Sequence, residues 1–156
     1  MKKLATSLVL RYTIFMNQNE PKYLISACLV GCHCRYDGKN QSREAMVELH
    51  QTGQALVVCP EELGGLPTPR PPCEIKNSKV ISINGEDKTE AYILGATEAL
   101  KLAKTYSIKT AYLKSKSPMC GLGKIYDGSF TGTITPGDGV FASLLKKNDF
   151  KIEVID

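Results

Sequence analysis

"KTAYLKSKSPMCG" spans residues 109–121. Its first five residues read as a strand. Then come a polar run, a Ser-Pro pair, one cysteine and a glycine, which are turn signals rather than a continuing element. Two other stretches share the plan. "KYLISA" (22–27) ends at Cys28, and "ALVV" (55–58) runs straight into Cys59. Short apolar runs bounded by turn residues suit strands buried on both faces.

The segments between these strands read as helices. "REAMVELHQTG" (43–53) has apolar residues at 45, 46 and 49 and stops at Gly53. "TEAYILGATEALKLAKTYS" (89–107) keeps helical spacing at 93, 96, 100 and 103, with Thr89 as the expected N-cap. "GDGVFASLLKKN" (137–148) reads as a helix entered through Gly-Asp-Gly, "KVISI" (79–83) as a strand and "KIEVI" (151–155) as a closing strand. "CPEELGGLPTPRPPCEI" has five prolines and two glycines and reads as an ordered loop. The alternation predicts an α/β fold: a compact, Rossmann-like, mostly parallel sheet flanked by helices, with its site at the carboxyl ends of the strands.

That architecture gives three cysteines one address. Cys28 and Cys59 each follow a strand, and Cys120 lies seven residues beyond Leu113. In a parallel sheet all carboxyl ends lie along one edge, so three thiols distant in sequence converge there. Three thiolates can hold zinc with one position open, or an iron–sulfur cluster with one iron free of cysteine. Either leaves a metal position at which a Lewis acid can act. The plainer reading of the three is a buried thiol at a strand end.

Other residues fall around this edge. Cys32, Cys34 and Cys73 read as small loop-packing residues. Glu61 and Glu62 follow Cys59-Pro60; one is a candidate general base if the loop folds over the site, and a solvated carboxylate otherwise. Ser117, three residues before Cys120, either starts a turn or points its hydroxyl at the same ligand. His33 is an unpaired candidate ligand, and His50 reads as surface. Arg35, Arg70 and Lys114 are cations for an acidic partner or ordinary surface charge. Gly64-Gly65 and Gly121/Gly123 resemble phosphate-cradling glycines, but no G-x-G-x-x-G or P-loop pattern is present.

Composition sets the limits. The chain has 156 residues, 42% hydrophobic and 23% charged, which suits one ordinary globular core. Six cysteines in a chain with a full core point to metal binding or catalysis rather than a disulfide scaffold. A net charge of +4, spread along the chain, and 7% aromatics without tryptophan argue against a nucleic-acid partner. No stretch approaches the ~20 apolar residues of a membrane span. Residues 1–15 read as an upstream extension, with a marginal export signal as the alternative. The expected division is an N-terminal extension (1–20) and one domain (21–156), in the cytoplasm.

The blocks "ISACLVGCHCRYDGK", "VVCPEELGGLPTPRPPCEI", "GEDKTEAYILGATEAL" and "LKSKSPMCGLGKIYDGSFTGTITPGDGVFASLL" together resemble a bacterial family. It was once labelled only as a domain of unknown function and includes the 2-thiouracil desulfurase (desulfidase). The resemblance covers roughly residues 23–156. It implies a 4Fe-4S cluster held by Cys28, Cys59 and Cys120, with Glu61 and Ser117 taking part in catalysis. The family usually reads Ser-Pro-Ser-Cys where this chain has Met119, and Cys73 stands where a small non-cysteine residue is expected. Met119 is therefore expected near the pocket, where it bears on the choice of substrate.

The implied reaction is non-redox, hydrolytic removal of sulfur from a thiocarbonyl heterocycle. The substrate is a small thiolated ring; its sulfur sits on the iron without a cysteine and leaves as sulfide. The rival readings are a cysteine–metal sensor module without turnover and a sulfur-transfer partner in tRNA thiolation.

Overall fold

A computed structural model describes residues 20–156; the expected extension at 1–15 lies outside the described residues. Four strands form one sheet in the order β2-β1-β5-β8: β1 Tyr23–Ser26, β2 Ala55–Val58, β5 Thr110–Lys114 and β8 Lys151–Ile155. All three pairings are parallel. Ile25 faces Val57 on one side and Tyr112 on the other, so β1 is flanked by the two other strands that lead to cysteines.

Side-chain alternation splits the core into two layers. Leu24, Val58, Ala111 and Leu113 point to the face covered by α3 (Thr89–Thr105) and α4 (Val140–Lys147). Ile25, Val57 and Tyr112 point to the other face, covered by α1 (Glu44–Gln51) through Met46 and Leu49. Both faces are occupied, which is why these strands read as continuous apolar runs. The chain leaves β1 for β2 on one side and later crosses to β5 on the other. That reversal opens a crevice at the carboxyl ends of β1 and β5.

The remaining elements depart from the sequence reading. The proline-rich loop contains a four-residue helix, α2 (Pro60–Leu63), and a strand, β3 (Cys73–Lys76). The strand expected at 79–83 is β4 (Lys79–Ser82), and it pairs antiparallel with β3 outside the main sheet. The glycine-rich stretch after Cys120 contains a second hairpin, β6 (Lys124–Tyr126) with β7 (Ile134–Pro136).

Thr89 is not the N-cap. Lys88 is, and the Thr89 hydroxyl accepts the Val80 N–H at 3.0 Å, tying the start of α3 to β4. Ile93 is half-exposed; the buried stripe of α3 is Tyr92, Gly95, Ala96, Ala99, Leu100 and Ala103. The last helix begins at Val140, and Asp138 instead accepts the Gly123 N–H at 2.8 Å.

Small residues let α2 lie against α3. A Cβ at Gly95 would come within 1.7 Å of the Pro60 carbonyl oxygen, and one at Gly64 within 2.1 Å of that of Ala91. No larger residue fits either position without shifting backbone. This contact fixes Pro60 and Glu61 just beyond β2. Among the described residues no helix is long and apolar enough to cross a membrane.

Candidate active site

A cavity of about 580 Å³ opens at the carboxyl edge of the sheet, and Cys28, Cys59, Cys120, Glu61 and Ser117 all line it. The edge supplies the three thiols. After β1 the chain turns through a short 3-10 helix, Ala27–Val30, that carries Cys28. Gly31 ends it with φ +100°, a left-handed conformation open chiefly to glycine. Cys59 leaves β2 in extended conformation and caps α2. Cys120 sits in a turn built by Ser117, whose Oγ accepts the N–H groups of Met119 (3.0 Å) and Cys120 (3.1 Å). A Cβ at Gly121 would meet the Ser117 carbonyl oxygen at 2.8 Å, so this turn closes only on glycine.

The thiols differ electrostatically. Burial, with the Cys59 thiol nearby, pushes Cys28 up to about 11. Burial also pushes Cys120 well above the ordinary thiol value. Cys59 moves the other way, through its hydrogen bond with the Cys34 thiol and then the backbone N–H of Glu62 at the start of α2. Its own thiol donates to the Cys34 carbonyl oxygen at 3.7 Å. Two of the three are thus held as uncharged thiols unless a cation replaces the proton.

Glu61 is set by two partners. The Tyr92 hydroxyl donates to its Oε1 at 2.6 Å, and Arg70 Nε donates to the same oxygen at 3.2 Å. The Arg70 guanidinium is 4% exposed and also gives hydrogen bonds to the carbonyl oxygens of Cys34 (2.8 Å) and Pro67 (3.1 Å). It is an internal clamp rather than surface charge. Among the described residues no buried side-chain oxygen lacks a partner, and neither of these bonds uses Oε2. Oε2 is therefore not sealed in the interior, and Glu61 lines the cavity. Glu62 is exposed and accepts from Thr68 Oγ1, the solvated role.

Several expectations change here. Met119 is fully buried in the core beneath α3 and α4, not on the cavity wall. Gly139 packs against its backbone, where a Cβ would lie 2.6 Å from the Met119 carbonyl oxygen. Cys34 is buried in the core as a packing residue and Cys73 packs against the core from β3; both also line the cavity, whereas Cys32 is exposed. Burial raises the Cys73 thiol. His33 is exposed and hydrogen-bonded to Asn40 at 3.3 Å, and His50 is exposed on α1. Sequence reasoning missed Tyr92 and read Arg70 only as a loose cation. One lies in an ordinary helical pattern and the other among prolines, and neither position signals an inward-facing polar group.

Comparison with known proteins finds relatives of the whole described domain. The Bacillus subtilis (strain 168) protein YbbK, itself uncharacterised, is 40% identical over 139 residues, spanning 83% of this chain and 92% of its own. The solved structure of TudS, a [4Fe-4S]-dependent thiouracil desulfidase, superposes with a TM-score of 0.81 at 40% identity. The match covers 86% of this chain and 90% of that one. The profile of the 2-thiouracil desulfurase family matches residues 23–156, from the first residue of β1 to the chain end, and the chain belongs to that family.

Proposed function

We propose that this protein removes sulfur from a thiocarbonyl heterocycle of the 2-thiouracil kind, using a 4Fe-4S cluster held by Cys28, Cys59 and Cys120. The observation that carries the reading is the meeting of three thiols from three strand ends with one oriented carboxylate in a single cavity. The donor set fits the group. Thiolate sulfur is the usual ligand of iron–sulfur clusters. Buried thiols pushed toward their neutral form suit ligands that a metal deprotonates on binding.

When bound, such a cluster supplies an iron without a cysteine ligand, a Lewis acid with affinity for the thione sulfur. The protein's own groups do the rest. Arg70 and Tyr92 hold Glu61 by Oε1, so Oε2 takes a proton from a water directed at the thione carbon. Ser117 Oγ accepts two backbone N–H groups, which leaves its own proton to donate to the substrate. A carbon–oxygen bond forms, the carbon–sulfur bond breaks, and sulfur departs as sulfide. One water is consumed and no net electrons are exchanged. A reducing cytoplasm suits six free thiols and a labile cluster.

Anaerobic reconstitution followed by a sulfide-release assay with 2-thiouracil tests the reading. A brown protein that liberates sulfide and uracil in equal amounts supports it. A protein that binds iron and sulfide yet turns over no thiouracil refutes the activity.

A further inference from the structure

The hairpin β6–β7 holds a loop tied closely to β3. Glu74, on β3 and 7% exposed, spends Oε2 on two loop N–H groups, from Gly128 at 2.8 Å and Phe130 at 3.0 Å. A buried carboxylate committed to a loop backbone is a latch, because withdrawing it leaves buried polar groups unpaired. Gly128, at φ +91°, lies so close to β3 that a Cβ would meet the Lys76 Cβ at 2.7 Å. On the outer side Asp127 accepts the Ser129 N–H at 2.9 Å, and a chain of hydroxyls runs from Ser129 through Thr131 to Thr133. The loop is pinned from both sides.

What it presents is Phe130. This residue has φ +57°, a strained conformation for a residue with a side chain, and such strain collects at functional sites. Phe130 belongs to neither core cluster; it lines the cavity, partly exposed. Other aromatic rings reach the same cavity. Tyr92 has its hydroxyl committed to Glu61, Tyr36 is 43% exposed, and Tyr126 on β6 carries a hydroxyl where Phe130 has none. Phe130 has no polar atom, so on a cavity wall it offers only a ring face.

We propose that Phe130 is the ring-recognition residue, stacking against the planar heterocycle, and that Glu74 is the positioning residue that holds it there. The inference rests on the proposed function for the identity of its ligand as a flat, thiouracil-like ring. Stacking reads a π-face and is indifferent to sulfur or oxygen at the reacting carbon, so uracil should bind the same platform.

The test compares anaerobically reconstituted wild type with F130L, F130Y, E74L and E74Q. Uracil affinity is measured by equilibrium dialysis, and KM and kcat by sulfide release from 2-thiouracil. Removing a base-stacking ring costs about tenfold or more in affinity. F130L should weaken uracil binding and raise KM by that factor, with kcat within about twofold and iron content unchanged, and F130Y should restore both. E74L should raise KM by a smaller factor, recovered in E74Q, which keeps an acceptor oxygen. F130L binding uracil as tightly as wild type, a loss confined to kcat, or a wild type that binds no uracil each overturns the inference. A wild type that binds uracil but releases no sulfide sinks the proposed function instead, and the F130L binding comparison still decides the role of Phe130.

Discussion

The cavity has two unlike walls. The sheet edge is made of strands buried on both faces, and it delivers Cys28, Cys59 and Cys120 from backbone that packing fixes. The opposing wall comes from two small hairpins, β3–β4 and β6–β7, which deliver Cys73, Glu74 and Phe130. The edge is rigid because both layers of the core hold it. Hairpin β3–β4 reaches the core through Val80 and Ile75, whereas the loop of hairpin β6–β7 is tied down by individual polar contacts, such as the two bonds to Glu74. A chain built this way keeps reactive groups on the scaffold and puts recognition where single substitutions can retune it.

If the comparison holds, edge variants abolish chemistry and hairpin variants shift affinity. The largest effect is expected from Cys59→Ser, with Cys28→Ser and Cys120→Ser alongside. Each should lose the brown colour of the reconstituted protein and more than the ~10–100-fold in sulfide release that losing even an outer-shell partner of a metal ligand costs. Glu61→Gln comes next. Losing a placed base costs ~10²–10⁴-fold, so kcat should fall by that factor while iron and sulfide content stay at wild-type values. Full activity in this variant would remove Glu61 from the mechanism.

Ser117→Ala should be milder, about tenfold in kcat, on the scale of losing one hydrogen bond to a reacting group. Part of that loss should appear as weaker iron retention, because two N–H groups of the Cys120 turn lose their acceptor. Gly95→Ala sharpens the structural side. Overpacking α2 against α3 should cost about 1–3 kcal/mol, read as a lower unfolding midpoint, and should impair kcat more than KM because Pro60 and Glu61 move with α2. The smallest effect is kinetic. In metal-free protein at neutral pH, iodoacetamide should label Cys59 ahead of Cys28 and Cys120. The Cys34 hydrogen bond lowers the first, and burial raises the other two.

The same contrast explains what could be read from the chain. The strand "ALVV" matches β2 residue for residue as an unbroken apolar run, and "KIEVI" matches β8, where exposed Lys151 and Glu153 alternate with half-buried Ile152 and Val154. The convergence of Cys28, Cys59 and Cys120 was legible for that reason. The hairpins were not. Hairpin β3–β4 turns at Asn77-Ser78, both left-handed, without the glycine that usually marks such a turn. Strands β6 and β7 have three residues each, too few to show alternation, and Pro136 argues against a strand. Position after Cys59-Pro60 marked Glu61 and Glu62 alike, and the family resemblance implied Glu61; the partners that orient it lie 9 and 31 residues away, and only the packed fold joins them.

The central claim is that three strand-end thiols hold a 4Fe-4S cluster beside a working carboxylate. Iron and acid-labile sulfide content after anaerobic reconstitution, measured on the same sample as sulfide release from 2-thiouracil, tests it most directly. About four irons and four sulfides per chain are expected, with turnover lost in Glu61→Gln at undiminished iron content. A wild-type protein that takes up a single zinc and releases no sulfide would contradict it.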